Sequence, residues 1–470
     1  MADKRGGQVL SDLLRRPPVS VGPDQSVSEA IRAMLTGAVG SVVVVDGPSL
    51  RPLGILTRGD LLERVSLAGV SLEDPVVSVM TGGVIALPGT ASLHEGRMLL
   101  ARHGLCHLVI VDGRGGFLGV VSRGDLYARR SVQADDLMET IQNAKDPASL
   151  VDAATRVRLL AGVLVDQGGD AGQVGEWISI LNDLVVLAAI DIVEPGFDLP
   201  LVPWCWLVFG SEGRLEQTLD SDQDNGLIYQ VPPDTDPEGM RRRFLPFAQA
   251  VNRLLDACGF PLCKGGIMAG NPLWCLSLSE WRSRFGEWIL GGRPEDLLNA
   301  TIFFDFRGLA GDIGLAAGLR RWLLAVAVDT PLFLRFMAGN ALRSGPPLGM
   351  IRDFVVDRQT GMLDLKRDGS RPFVDAARIY ALAFGIEASS TVARLRAGGL
   401  RSGWPSAEVE AYVDAFLFIQ SLRLRCQRAA GGSANRVMPE GLNELERAFL
   451  KESFRQARKL QQKLGVRFQL

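Results

Sequence analysis

Two aspartates one residue apart, Asp222 and Asp224, lie between a Gly-Ser turn (Gly210, Ser211, Gly213) and an apolar run, Gly226-Leu227-Ile228-Tyr229. If Asp222 to Tyr229 is a strand, residues two apart project from the same face. Carboxylates placed side by side repel unless a cation sits between them. Magnesium carrying a nucleoside triphosphate (NTP) answers that need, with Asp222 and Asp224 as its ligands. The small residues at 210, 211 and 213 let backbone approach a ligand closely. A turn that opens a helix there would also present N–H groups to phosphate. Arg214 could clamp a phosphate through two hydrogen bonds, or pair instead with Glu216 or one of the aspartates. Asp-x-Asp alone is common in loops, where Asp caps helices and makes turns. The signal lies in the order: apolar strand (Trp204 to Phe209), Gly-Ser, a helix-length spacer, then Asp-x-Asp on a second strand.

Several elements must hold these residues. The segment 130–198 reads as helical, with apolar residues at helical spacing over Leu150 to Val165 and Val174 to Ile192, split by Gln167-Gly168-Gly169-Asp170. Gln133 to Lys145 is polar and reads as an exposed bridging helix. After Tyr229, a Pro/Asp-rich loop leads to a helix over Arg241 to Cys258. Gly265 to Ala269 reads as a further strand, and Lys264 before its glycines could balance triphosphate charge or simply be exposed at a turn. Residues 311–470 carry long helical periodicity, interrupted by an extended hairpin expected over Ile351 to Lys366.

At 470 residues the chain is long for one domain and suits about three. A hydrophobic share of 47%, a charged share of 22% and a net charge of -2 describe an ordinary globular composition and argue against nucleic acid as a partner. The N-terminal residues lack a signal-peptide core and no apolar run has the length of a membrane span, so the expected setting is cytoplasmic, with no membrane partner. The six cysteines form no Cys-x-x-Cys pair and read as small buried hydrophobes.

Residues 8–129 contain a repeat. Gly54-Ile55-Leu56-Thr57-Arg58-Gly59-Asp60-Leu61 returns 65 residues later as Gly119-Val120-Val121-Ser122-Arg123-Gly124-Asp125-Leu126. Each copy reads as an extended segment, an amphipathic helix, two strands and a helix. Thr57-x-x-Asp60 and Ser122-x-x-Asp125 have the spacing of a helix-capping box. A hydroxyl at a helix start also suits an anion, and a carboxylate suits a diol.

The repeat resembles a tandem pair of CBS domains. That resemblance implies an adenine nucleotide (AMP, ADP or ATP) in the cleft between the copies. Thr57 and Ser122 would touch ribose or phosphate, and Asp60 and Asp125 would bind ribose hydroxyls. It also implies a homodimer formed through the pair. Gly210 through Asn225 resembles the nucleotidyltransferase signature, most closely that of protein-PII uridylyltransferases and a related bacterial group that places CBS domains ahead of the transferase. This resemblance implies Mg2+-dependent transfer of a nucleoside monophosphate from NTP to a hydroxyl of a protein or small-molecule acceptor, such as a PII-like signalling protein. Such enzymes usually take a third carboxylate from a later strand. The expected Gly265 to Ala269 strand offers none, which leaves Asp305 as the third catalytic candidate, or as a structural partner of Arg307. The alternative is a catalytically silent adenine-nucleotide sensor that keeps the transferase fold. The expected fold is α/β plus all-α: a CBS pair (8–129), a helical linker (130–198), a nucleotidyltransferase-like α/β core (199–310) and a C-terminal helical bundle (311–470).

Overall fold

The computed structural model describes residues 9–14, 17–37, 39–47, 49–91, 93–103, 105–126, 132–166, 171–233, 235–291, 301–349, 354–429 and 435–470. The chain divides into two compact units, Met1–Asp135 and Asp136–Leu470.

The first unit folds twice in the same way. Strands β1 (Ser20–Val21), β2 (Ser41–Val45), β3 (Pro52–Thr57) and β4 (Thr81–Gly82) form one sheet in that order. Strands β5 (Ala86–Pro88), β6 (His107–Val111) and β7 (Phe117–Ser122) form the second. In each, a short strand pairs parallel with the long central one, which pairs antiparallel with the next. The registers correspond, Ser41 opposite Thr57 and His107 opposite Ser122. Helices Val27–Thr36 and Leu93–Arg102 supply the crossovers. Strand β2 is buried on both faces. Val42 and Val44 pack with Val27, Ala30 and Met34, while Val43 and Val45 pack with Val109 and Phe117. Burial on both faces explains why its sequence is an unbroken valine run rather than an alternation.

The second unit opens within helix Val132–Gln142, which buries Leu137, Met138 and Ile141 and so is not the wholly exposed helix expected over Gln133 to Lys145. Helices Pro147–Asp166 and Ala171–Val193 follow; the expected break at Gln167 to Asp170 lies outside the described residues. A mixed sheet follows, of β8 (Trp204–Val208), β9 (Asn225–Tyr229), β10 (Cys275–Ser277) and β11 (Arg307–Gly311), in the order β10-β9-β8-β11. Strand β8 pairs antiparallel with both neighbours, and β10 runs parallel to β9. Helix Pro237–Ala257, capped by Asp236, buries Phe244, Phe247, Val251 and Leu255. Helix Leu278–Leu290 starts at a Ser277/Glu280 capping box, and its Trp281 indole N–H donates to the Leu227 carbonyl at 3.1 Å. Among the described residues six further α-helices follow: Ile313–Val328, Pro331–Ala341, Arg371–Phe384, Thr391–Arg401, Ser406–Ala429 and Glu444–Phe468. One hydrophobic core runs unbroken from the sheet (Leu207, Phe209, Ile228) into these helices (Phe373, Tyr412, Phe416, Leu460). No single helix among the described residues is long and apolar enough to cross a membrane.

Three further local expectations are corrected. The Gly-Ser turn opens one helical turn, Gly210–Gly213, so Arg214 and Glu216 lie beyond it rather than on a longer helix. Residues 265–269 form loop, not strand. Gly266 adopts φ +66° and closes a turn onto the Cys263 carbonyl, and the sheet position is taken by Cys275–Ser277. The expected hairpin over Ile351 to Lys366, of which 351–353 lie outside the described residues, is not formed by its described part. Leu363–Asp364 pairs instead with Arg436–Val437, and Asp357 to Gly361 makes a tight turn.

Candidate functional site

The acid pair stands where β8 and β9 meet. Strand β9 begins at Asn225, so Asp222 and Asp224 precede it in a loop instead of projecting from it. The Phe209 N–H donates to the Asp224 carbonyl at 2.8 Å, which fixes Asp224 beside the turn. Gly210 adopts φ +58°, a region costly to any residue with a Cβ. A Cβ there would meet the Ile302 side chain at 2.9 Å and the Asp224 carboxylate at 3.4 Å. Gly213 is needed for another reason: a Cβ would overlap the backbone carbonyl of Asp305.

The loop keeps its shape through amides that point inward. Gln223 and Asn225 are buried and meet buried Asn252 from helix Pro237–Ala257. Asn252 Nδ2 donates to Gln223 Oε1 at 2.8 Å and to Asn225 Oδ1 at 3.0 Å. Asn225 Oδ1 also accepts from the Ala269 N–H at 2.8 Å, and Asn252 Oδ1 from the Gly270 N–H at 2.8 Å. Gln223 Nε2 donates to the carbonyls of Asn252 and Phe260. These bonds give Gln223 and Asn225 a positioning role that spacing alone did not disclose.

Asp222, Asp224 and Cys263 come together, with one potential ligand atom from each lying within 4.8 Å of the others. This is the metal-suited group among the described residues. Asp222 is exposed, and Asp224 and Cys263 are half-buried. Burial and the Asp222 charge raise the Asp224 carboxyl to about 7, against the opposing effects of the Cys263 thiol and of Lys366 and Arg214. Burial and Asp222 also raise Asp220, which the charges of Lys366 and Arg423 pull back down. Lys264 is exposed at its turn.

Asp305 does not join this group. It is fully buried, and both carboxylate oxygens are taken by arginine. Oδ2 accepts from Arg214 Nη1 at 2.6 Å and from Arg378 Nη2 at 2.7 Å, while Oδ1 accepts from Arg394 Nη1. Burial alone would raise its carboxyl, but Arg378, Arg394 and Arg214 together hold it well below the usual range. Its expected partner, Arg307, pairs elsewhere, with Asp183 at 2.6 Å. Arg214 also donates to Glu216 at 2.8 Å, so the pairing alternative for Arg214 is the observed one. Glu216 in turn accepts from the Thr391 N–H at 2.5 Å and caps helix Thr391–Arg401. Arg378-x-Tyr380 and Thr391-x-x-Arg394 resemble the family's C-terminal helical domain in sequence, and the structure gives Arg378 and Arg394 to Asp305 and Thr391 to Glu216.

In the first unit, both repeat motifs form capping boxes. Thr57 Oγ1 donates to Asp60 Oδ2 at 2.7 Å, and the Asp60 N–H returns a bond to Thr57 Oγ1 at 3.3 Å. Ser122 Oγ donates to Asp125 Oδ2 at 2.5 Å, and the Asp125 N–H returns one at 3.2 Å. Asp60 also pairs with Arg64 and accepts from Thr81.

Comparison with known proteins agrees with this division. Residues 155–295 match the family described as "Putative nucleotidyltransferase DUF294", and residues 331–468 match the "Putative nucleotidyltransferase substrate binding domain". Residues 10–67 and 76–131 each match the CBS domain. An uncharacterized 17.7 kDa protein of Acidianus ambivalens is 28% identical over 152 residues, covering 32% of this chain and 87% of that protein. The inosine-5'-monophosphate dehydrogenase of Nitrosopumilus maritimus is 30% identical over 123 residues, which span 26% of this chain and only 24% of the enzyme. Among solved structures, a CBS domain protein from Pyrobaculum aerophilum complexed with AMP is 27% identical. It covers 27% of this chain and 96% of its own, with a TM-score of 0.25. A CBS-domain protein from Agrobacterium tumefaciens is 30% identical, covering 26% and 98%, with a TM-score of 0.24. The chain therefore carries a tandem CBS pair followed by a DUF294 nucleotidyltransferase-like domain and its associated substrate-binding domain.

Proposed function

We propose that this protein is a divalent-metal-dependent nucleotidyltransferase that transfers a nucleoside monophosphate from NTP to an acceptor hydroxyl. The observation that carries the reading is the convergence of Asp222 and Asp224 beside the Gly210–Gly213 turn, within the matched nucleotidyltransferase region. Two carboxylates with a substrate phosphate make a donor set that suits Mg2+, which commonly binds one or two protein carboxylates plus phosphate. Bound there, magnesium would neutralise phosphate charge and favour in-line displacement.

The remaining roles belong to the chain's own residues. Asp222 and Asp224 hold the cation and keep the triphosphate against the turn. Ser211, partly exposed, and the backbone at Gly210 and Gly213 line the phosphate side. Lys366 is exposed, and its charge acts on both Asp220 and Asp224, so it supplies positive charge from the helical region at the mouth of the site. Arg214 and Asp305 act as the frame of the turn. The acceptor hydroxyl oxygen bonds to the α-phosphorus as the bond to the α–β bridging oxygen breaks; pyrophosphate leaves and the hydroxyl proton passes to solvent. A hydroxyl of a PII-like signalling protein or of a small molecule is the acceptor class implied by the family likeness.

The CBS pair would bind an adenine nucleotide between its copies and mediate homodimerisation. Its regulatory effect would require two states of the protein with different affinities for that nucleotide.

The test is binding and transfer with a panel of labelled NTPs and Mg2+, using the full chain and the Asp222→Ala/Asp224→Ala variant. Label transfer lost in the variant supports the transferase. Mg2+-dependent binding at the acid pair with no transfer to protein, lysate or water would favour the silent-sensor alternative.

A further inference from the structure

Where a third carboxylate was expected, the structure brings a thiol. We propose that Cys263 is a third metal ligand, and that it gives the nucleotide-free protein a site for a thiophilic divalent cation of the zinc class. This inference rests on reading Asp222 and Asp224 as metal-holding residues.

The geometry suits such an ion. Zinc–oxygen distances of about 2.0–2.2 Å and a zinc–sulfur distance of about 2.3 Å place tetrahedral donors roughly 3.3–3.7 Å apart. The donor atoms of Asp222, Asp224 and Cys263 all lie within 4.8 Å of one another, so small side-chain rotations close the set. The thiol is held there by backbone rather than by chance exposure. The Gln223 N–H donates to the Pro261 carbonyl at 3.1 Å, and the Asn225 N–H to the Ile267 carbonyl at 3.1 Å. Residues 261–267 are thus strapped along 223–225, with the turn between them closed by the Gly266 N–H on the Cys263 carbonyl at 2.9 Å. Gln223 Nε2 adds a bond to the Phe260 carbonyl at 2.8 Å from a buried side chain. Cys205, Cys258 and Cys275 are buried, and neither they nor Cys106 and Cys426 join a comparable group among the described residues.

The chemistry separates two classes of cation. Magnesium is hard, prefers oxygen and gains nothing from sulfur, so it would use the carboxylates and substrate phosphates. Zinc and cadmium accept thiolate and carboxylate together. On binding them the Cys263 S–H proton leaves to solvent and a metal–sulfur bond forms, with no change of oxidation state. Three protein ligands leave one tetrahedral position for water or a phosphate oxygen. A zinc-class ion so held would compete with magnesium-bound NTP for the same carboxylates.

The experiment is a Cd2+ titration of the nucleotide-free full chain, followed by ultraviolet thiolate-to-metal charge-transfer absorbance. In parallel, iodoacetamide labelling of Cys263 is read by mass spectrometry with and without Zn2+. The expected result is a charge-transfer band saturating near one equivalent and protection of Cys263 by Zn2+. Cys263→Ser should lose the band and weaken Zn2+ binding roughly tenfold or more, since even outer-shell partners of a metal matter on that scale. Asp222→Asn, which leaves the thiol intact, should weaken both signals, with circular dichroism checking the fold of each variant. A band that persists in Cys263→Ser, or equal labelling of Cys263 with and without Zn2+, overturns the proposal. Mg2+-dependent NTP binding, measured on the same samples, separates the two claims. NTP binding without a cadmium band sinks the Cys263 assignment alone, whereas a band without NTP binding supports Cys263 and sinks the transferase reading.

Discussion

Asp305 accepts a hydrogen bond from Arg214 at 2.6 Å, and its backbone carbonyl lies where a Cβ of Gly213 would be. The same acid binds Arg378 and Arg394 from the helical region. The Gly210–Gly213 turn is therefore braced from behind by an ionic cluster, and Asp305 belongs to that brace instead of to the Asp222, Asp224 and Cys263 group.

Asp305→Ala leaves three guanidiniums around a lost buried charge. Removing one partner of a buried ionic group typically costs about 3–5 kcal/mol. We expect a loss of that size in urea unfolding of the full chain. Arg394→Met, which loses one arm but keeps bulk, should cost less. A change within error for Asp305→Ala would show that the cluster does not brace the unit.

Gly213→Ala forces the turn away from the Asp305 carbonyl. Overpacking of this kind costs about 1–3 kcal/mol. Because the displaced atoms belong to the turn itself, NTP affinity should fall along with thermal stability. Gly318→Ala provides a control, since a Cβ there meets nothing within 4 Å.

Asn252→Ala removes the donor to Gln223 Oε1 and the acceptor of the Gly270 N–H, while Asn225 Oδ1 keeps its bond from the Ala269 N–H. Each buried polar group left unsatisfied costs about 1–3 kcal/mol. The variant should be destabilised by that order, and the loop bearing Cys263 should exchange its amide hydrogens faster, as hydrogen-exchange mass spectrometry can show.

Part of this was legible in the sequence. The repeat declared itself because Thr57-x-x-Asp60 and Ser122-x-x-Asp125 stand at one offset within matching apolar runs. The acid pair declared itself through order along the chain. Gln223 and Asn225 alternate with the aspartates, but only the contacts with Asn252 show that both amides are buried, since residues 222–224 precede the strand. Cys263 gave no such sign, because a turn at Gly265-Gly266, not strand pairing, carries it to the acids. The pairing of Asp305 with two motif arginines of the helical region was hidden for a different reason. Arg378 and Arg394 lie 73 and 89 residues away, and helix packing alone brings them in. Reading Asp305 with Arg307 followed sequence proximity, which the antiparallel pairing of β11 with β8 overrides.

The Asp224 carboxyl predicts a pH effect. Burial and Asp222 raise it from an ordinary 3.8 to about 7 in the metal-free fold. A carboxyl raised on folding contributes stability that is complete below about pH 4 and is lost as pH rises through about 7. Other groups shape the full profile, so the relevant measurement is the difference between the wild-type protein and Asp224→Asn. Between pH 5 and 8 the wild-type melting temperature should fall relative to the variant. Saturating Mg2+ should restore the wild-type value most at the upper end, where no proton competes for the carboxylate. Parallel profiles with and without Mg2+ would contradict this assignment.

The most direct test of the account is Mg2+-dependent pyrophosphate release from NTP, with acceptor supplied as lysate, comparing the intact chain with Asp222→Ala/Asp224→Ala. The account predicts release by the intact chain and a fall of at least about a hundredfold in the variant, the scale of losing one strong electrostatic contribution to a transition state. Equal release by both proteins, with the variant folded, would contradict it.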